Sequence, residues 1–344
     1  MKILQSLAVL SLVGFVFTAV IYHDNGSMTL VVTKSMFLKE GVKYSGSHEI
    51  VKLLLPLNSL NFDEDDLSES NFNSTEFDSA DLTLFFVEAD IDSEGKYVDQ
   101  GLYVLKKGKV TKLLDHGRDA AASSDNSTLV FFGAADGIYV YNKENNSADK
   151  YGTVTDSIIG IAKESTGDII YILTENHEVY KVSNKGTIKE KIDDIVNAKE
   201  IVLDFSNNIY FYSDDKKAYV RTPEGVKKIE GLPENPSSVT LVRPPFTIED
   251  GVMFVVDNVV YVINANASSE RSGFEFKPKA KPSAFAPDAV LIQYYALDKK
   301  IYEFNPIKLV NSDIFDEWKD YVNNKIEDIK SISKKSRFRN RQHA

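Results

Sequence analysis

Apolar and polar positions along this chain fall into one recurring unit. Its clearest copy reads Ser127-Thr-Leu-Val-Phe-Phe-Gly-Ala-Ala-Asp-Gly137-Ile-Tyr139-Val-Tyr141, an apolar run, a short polar break and a second, aromatic-rich run. β-Branched and aromatic residues suit a half-buried pleated surface, and Asp-Gly supplies the positive φ of a tight turn, so the unit predicts a β-hairpin. Copies recur around Tyr103, Tyr139, Tyr180, Tyr219, Tyr261 and Tyr302, at spacings of 36, 41, 39, 42 and 41 residues. Each interval has room for two further strands, as in Val110–Leu114 followed by the small-residue stretch Ala120–Ser124. Four strands in about 40 residues make one blade of a β-propeller, so six hairpins predict an all-β, six-bladed β-propeller over residues 23–310. Because the tyrosine repeats in every unit, Tyr139 is expected to pack between neighbouring blades.

A single blade cannot bury both faces, so the ring must close, commonly with a strand from the N-terminal segment. Ile50–Leu55 is the expected closing strand. The inner strands are expected at Asp119–Ser124, Ile158–Glu164, Lys199–Asp204, Val239–Arg243 and Ser283–Ala286. Between Val87 and Gly101 the connection is much longer than a tight turn, and residues 88–100 read as an inserted loop of the kind that carries function. The acidic stretch 61–78 reads as solvated loop.

Outside the array the period changes. Ile314, Phe315, Trp318, Tyr321, Val322, Ile326 and Ile329 recur at three and four, which predicts a C-terminal amphipathic helix over residues 311–331. Residues 332–344 carry five cations and no acid and read as a basic disordered tail. Residues 1–19, one early lysine and then an apolar run, read as a secretory signal peptide, with an uncleaved signal anchor as the alternative and membrane contact only in that case. Asn-X-Ser/Thr sequons at Asn25, Asn73, Asn126, Asn145 and Asn266 fit a secreted glycoprotein.

The formal net charge of −11 argues against a nucleic-acid partner, which would need clustered Lys and Arg. There is no cysteine, which excludes thiol catalysis, Cys-ligated zinc and iron–sulfur clusters. No His-Glu-X-X-His, Gly-X-Ser-X-Gly, phosphate-binding Gly-rich loop or EF-hand loop is present, and the five histidines are scattered. Asp119, Glu164, Glu200 and Asp204 are the acids on the expected inner strands, but at different offsets within their units, which argues against a ring of calcium ligands. No cofactor and no metal is therefore expected. A calcium-dependent hydrolase of lactonase or esterase type is the enzymatic alternative, and a secreted scaffold docking a protein through the C-terminal helix is a third reading.

Propellers bind ligands at the channel mouth, where aromatic walls and a few polar groups fix orientation. Loops entering the inner strands, assigned as 114–119 and 243–246, and loops inside the hairpins supply the candidates Tyr97, His116, Arg118, Arg243 and Phe246. An arginine there can both fork to a carboxylate and stack on a flat ring, which points to a small aromatic, anionic ligand.

Leu82-Thr-Leu-Phe-Phe86, Gly133-Ala-Ala-Asp-Gly-Ile-Tyr-Val-Tyr-Asn-Lys143 running on to Tyr151-Gly152, Asn208-Ile-Tyr-Phe-Tyr212 and Ile301-Tyr302 give the chain, over roughly residues 80–305, a resemblance to the ommochrome-binding proteins of moth and butterfly haemolymph. It departs from them in lacking cysteine, in the acidic insert before Asp81 and in the segment after Pro306. The resemblance implies a secreted six-bladed carrier of tryptophan-derived phenoxazinone pigments, without catalysis, in haemolymph.

Overall fold

The computed structural model describes residues 20–24, 27–56, 83–93, 96–124, 127–245, 248, 250–287 and 293–304. The expected signal peptide, acidic loop, C-terminal helix and basic tail lie outside these. Among the described residues there is no α-helix, only short 3₁₀ turns, and no helix long and apolar enough to cross a membrane.

Strands β1 (Val20–Asp24), β2 (Ser27–Val32) and β3 (Val42–Ser45) precede the blades. Blade 1 is β4 (Glu49–Leu54), β5 (Thr83–Ile91), β6 (Tyr97–Lys106) and β7 (Lys109–Leu114). Blade 2 is β8 (Gly117–Ala122), β9 (Val130–Ala134), β10 (Gly137–Asn142) and β11 (Ser147–Lys150). Blade 3 is β12 (Ile158–Lys163), β13 (Ile170–Thr174), β14 (Val179–Ser183) and β15 (Ile188–Lys191). Blade 4 is β16 (Glu200–Leu203), β17 (Ile209–Tyr212), β18 (Ala218–Thr222) and β19 (Gly225–Lys228). Blade 5 is β20 (Val239–Val242), β21 (Gly251–Val256), β22 (Val259–Asn264) and β23 (Ser269–Phe276). Blade 6 is β24 (Ala284–Ala286), β25 (Gln293–Leu297) and β26 (Lys300–Phe304). Each blade is an antiparallel meander, and the six-bladed ring expected from the repeat is what forms.

Burial follows radius. Second strands such as β9, β13, β21 and β25 are buried along their whole length, because each lies between two neighbouring blades and has no solvent face. Third strands mix buried and half-buried positions, alternating strictly in β18, and the outermost strand β15 is exposed throughout. This gradient is why each repeat reads as a continuous apolar run followed by an alternating one.

The core divides into six clusters, one at every interface between adjacent blades, including blade 6 against blade 1. Each cluster holds one of the repeated tyrosines, facing the blade before its own. Tyr139 thus packs between blades, as its recurrence required. The hydroxyls also brace hairpin turns: Tyr139 donates to Asp136 at 2.8 Å, Tyr180 to Glu178 at 2.7 Å and Tyr103 to the Gln100 carbonyl at 3.0 Å. Lys150 and Lys189 sit 4.5 and 4.4 Å above the rings of Tyr139 and Tyr180.

Two expectations about strands are corrected. Ile50–Leu55 does not close the ring; β4 is the innermost strand of blade 1, pairing with β5. The closing strand is β3, which adds to β26 with Lys300 opposite Ser45 and Ile301 opposite Tyr44. The burial pattern explains the exchange: Ile50, Leu53 and Leu54 are fully buried, as an inner strand must be, whereas Val42–Ser45 alternates half-buried and exposed like an outer strand. In addition, β2 runs parallel to β23, with Leu30 opposite Phe274, and carries β1 on its far edge, which extends blade 5 to six strands. In the hairpin between β9 and β10 the turn residues are Ala135 and Asp136. Gly137 is the first strand residue, at φ +129°, where a Cβ would stand 2.1 Å from the Val154 carbonyl oxygen.

Candidate binding site at the hairpin-side mouth of the channel

In each blade the loop entering the inner strand and the turn between the second and third strands lie at the same end of the ring. In blade 1 that turn is extended. Residues 88–100 are largely strand, not the expected loop: pairing continues through Ala89 opposite Asp99 to Ile91 opposite Tyr97, past a bulge at Glu88–Ala89. The tip leaves Ile91, Tyr97 and Val98 exposed, Tyr97 at 58%.

The hairpin is strapped to its neighbours by charge. Arg118 Nε lies 3.0 and 2.9 Å from the two Asp99 carboxylate oxygens, and Nη1 donates to Ser157 Oγ at 2.9 Å. Ser157 in turn donates to Glu175 Oε2 at 2.8 Å, while Lys96 of the hairpin holds Glu175 Oε1 at 2.9 Å. The Lys96 contact, then the Ser157 hydrogen bond, hold the Glu175 carboxyl at about 2. Arg118 is thus engaged by internal carboxylates. His116 is 72% exposed, 3.9 Å from Asp99. Nearby, His48 Nδ1 lies 2.8 Å from Asp90 Oδ2, which also accepts from Gln100 Nε2 at 3.0 Å.

Inside the channel two ion pairs cross. Lys52 of blade 1 meets Glu200 of blade 4, and Arg243, which follows β20 of blade 5, reaches Asp119 of blade 2 at 3.4 Å. In a ring of six these are opposite blades. Arg243 also donates to the carbonyls of Leu53, at 3.2 Å, and Ala120. The carboxylates are held by backbone as well: Asp119 accepts from the N–H groups of Ala120 and Ile161, both at 2.9 Å, and Glu200 from that of Leu241 at 2.9 Å. Burial pulls the Lys52 ammonium down, but the charges of Glu200 and Asp119 outweigh it and hold its pKa above the ordinary lysine range. Tyr212, opposite Glu200 in the β16–β17 ladder, is pushed up first by burial and then by the charge of Glu200, and its ring lies 6.3 Å from that of Phe254 at the interface of blades 4 and 5.

Arg243 lines two spaces. The hairpin-side chamber, about 40 Å³, is walled by Lys52, Asp119, Glu200, Thr240 and Ser283. The space at the other end, about 80 Å³, is walled by smaller and more apolar residues including Ala121, Ala162, Leu203 and Phe205.

Of the five candidates, Tyr97, His116 and Arg118 therefore share the hairpin-side end. Arg243 does not enter its strand there as expected; it leaves β20 at the opposite end and turns its side chain back into the channel. Phe246 lies outside the described residues. Of the four acids, Asp119 and Glu200 meet in the channel despite their unlike offsets. Glu164 instead accepts from Tyr171 OH at 2.8 Å. Asp204 is buried in its turn, taking Tyr210 OH, the Asn208 side chain and the Ser206 and Asn208 N–H groups, with burial raising its pKa. Among the described residues, no group of three or more His, Asp or Glu is placed to hold a metal ion. Sequence reading missed Lys52 and weighed Glu200 only as a calcium ligand, although a lysine inside Ile50-Val-Lys-Leu-Leu-Leu55 is a usable signal, since a buried strand seldom carries a charge without a partner. Of the sequons, Asn145 and Asn266 stand exposed on turns, and Asn25, Asn73 and Asn126 lie outside the described residues.

No family model matches the chain, and no curated protein does. Solved propellers are similar at low identity. A catalytically inactive virginiamycin B lyase variant from Staphylococcus aureus with quinupristin is 13% identical, with 76% of this chain and 87% of that one covered and a TM-score of 0.46. A streptogramin B lyase is 15% identical, with coverages of 64% and 82% and a TM-score of 0.44. An auxiliary nutrient-binding protein from Bacteroides thetaiotaomicron is 9% identical, with coverages of 65% and 66% and a TM-score of 0.44. Enzymes and a binding protein stand side by side among these structures, and at such scores the likeness carries nothing about chemistry; what is established for this chain is a six-bladed β-propeller.

Proposed function

We propose that the protein is a secreted, non-enzymatic carrier that holds a small aromatic ligand of the ommochrome type at the hairpin-side mouth of its channel. The observation that carries this reading is the placement of Tyr97: an exposed aromatic side chain, held out on an extended hairpin that ion pairs fix in place, at the same end of the ring as the charge-lined chamber. An aromatic wall over a few polar groups is the composition of a small-molecule site. The channel cations already face carboxylates, which suits recognition more than bond-making.

Titration of the full chain with an ommochrome, followed by the visible band of the pigment and by calorimetry, tests the reading. Tyr97→Ala should weaken binding about tenfold, the contribution of one well-placed ring, and leave thermal stability unchanged because the side chain is exposed. No binding by the wild-type chain would end the proposal. A chelator-sensitive ester or lactone turnover would replace it with the calcium-dependent hydrolase.

A further inference from the structure

The hairpin-side chamber is net neutral, with two cations, Lys52 and Arg243, facing two carboxylates, Glu200 and Asp119. Its hydrogen-bonding capacity is not used up. An ammonium has three N–H groups and a guanidinium five. Lys52 gives one contact, to Glu200, and Arg243 gives three, to Leu53, Ala120 and Asp119, so both retain donors among the described residues. Each carboxylate offers about four lone pairs. Glu200 uses two, on Lys52 and Leu241, and Asp119 three, on Ala120, Ile161 and Arg243.

A simple anion entering such a site gains little, because its contact with Lys52 or Arg243 competes with a carboxylate that then lies buried without its partner. A simple cation meets the mirror-image problem. A molecule bearing both charges two bonds apart meets neither. Its carboxylate can join Glu200 on Lys52 while its ammonium compensates Glu200, so every charge in the chamber keeps an opposite neighbour. We infer that the hairpin-side chamber receives a zwitterionic α-amino acid head group, its carboxylate taken by Lys52 and Arg243 and its ammonium by Glu200 and Asp119. The remainder of the ligand then extends toward the mouth, at the end of the ring where Tyr97 stands exposed. This placement of the body rests on the carrier reading; the head-group assignment rests on the four charges.

The test is calorimetric titration of the full-length chain with three probes of one aromatic body: L-tryptophan, tryptamine, which lacks the carboxylate, and indole-3-propionate, which lacks the ammonium. L-Tryptophan should bind about tenfold or more tighter than either, since each lost half removes a charge-assisted hydrogen bond. Glu200→Gln should narrow the gap between L-tryptophan and indole-3-propionate, and Lys52→Met the gap between L-tryptophan and tryptamine, each variant being checked first for a cooperative melt. The comparison of probes on the wild-type chain decides the matter even if a variant does not fold. Indole-3-propionate or tryptamine binding as tightly as L-tryptophan overturns the head-group assignment and leaves the aromatic seat standing. Failure of all three while an ommochrome binds also overturns the assignment. Failure of all three and of the ommochrome overturns the carrier reading with it.

Discussion

Replacing Lys52 with methionine removes one end of the pair that joins blade 1 to blade 4. The substitution conserves most of the side-chain volume, so the expected effect is electrostatic. Glu200, whose side chain is only 14% exposed, would keep one partner, the Leu241 N–H at 2.9 Å, and would lose its charge-compensating contact. Breaking a buried pair from one side costs about 3–5 kcal/mol, and the 28% exposure of Lys52 places this case near the lower end, about 3 kcal/mol. In Lys52→Met/Glu200→Gln the amide oxygen still accepts from Leu241 and no charge is stranded, so the cost should fall to about 1 kcal/mol. The double variant should therefore be about 2 kcal/mol more stable than Lys52→Met. With roughly 2 °C lost per kcal/mol in a domain of this size, the single variant should melt about 6 °C below wild type and the double variant about 2 °C below. Calorimetry at neutral pH measures both, and urea titration supplies the free energies independently. A double variant no more stable than Lys52→Met would refute the reasoning, because it would mean that Glu200 is not stranded by the loss of the lysine.

Two further outcomes follow from the structure. Gly137→Ala should cost about 2–4 kcal/mol in urea denaturation, because the added Cβ stands 2.1 Å from the Val154 carbonyl at a φ of +129°, and an Ala variant of near wild-type stability would show that this strand start is free to move. The hairpin strap should weaken in acid: Glu175 is held at about 2 in the folded chain, below the ordinary glutamate value of 4.5, so its contribution is complete above about 4.5 and is lost as pH falls toward 2. The side chain is 40% exposed, which limits the effect to less than about 1 kcal/mol, so it is best read as hydrogen-exchange protection at 96–100 after correction for the intrinsic pH dependence of exchange, falling between pH 4.5 and 2 in wild type and showing no such step in Glu175→Gln.

The repeated tyrosine, the continuous second strand and the alternating third strand are local properties, set by what a pleated hairpin between two neighbours must bury. They made the blades, their number and most of the inner strands legible in the sequence. The role of Tyr139 between blades followed from recurrence alone. The assignment of the closing strand did not, because Ile50–Leu55 and Val42–Ser45 both read as strands, and only the closed ring decides which has two buried faces. The length of the blade 1 hairpin was also hidden, since the large apolar residues of 88–100, Ile91, Tyr97 and Val98, stand exposed at its tip and follow no buried pattern that would mark the stretch as strand.

The candidate site divides in the same way. Arginine, histidine and tyrosine near the channel mouth could be named from the sequence, but Arg118 is bound to Asp99, 19 residues earlier, and Arg243 turns inward from the far end of its strand. The pairs in the channel join residues 148 and 124 positions apart. No periodicity encodes such a meeting, because it depends on which blades the closed ring sets opposite each other and on which face of each inner strand turns to the axis. By itself the sequence determined the unit and the number of times it repeats; the tertiary structure decided which charges stand face to face across the centre.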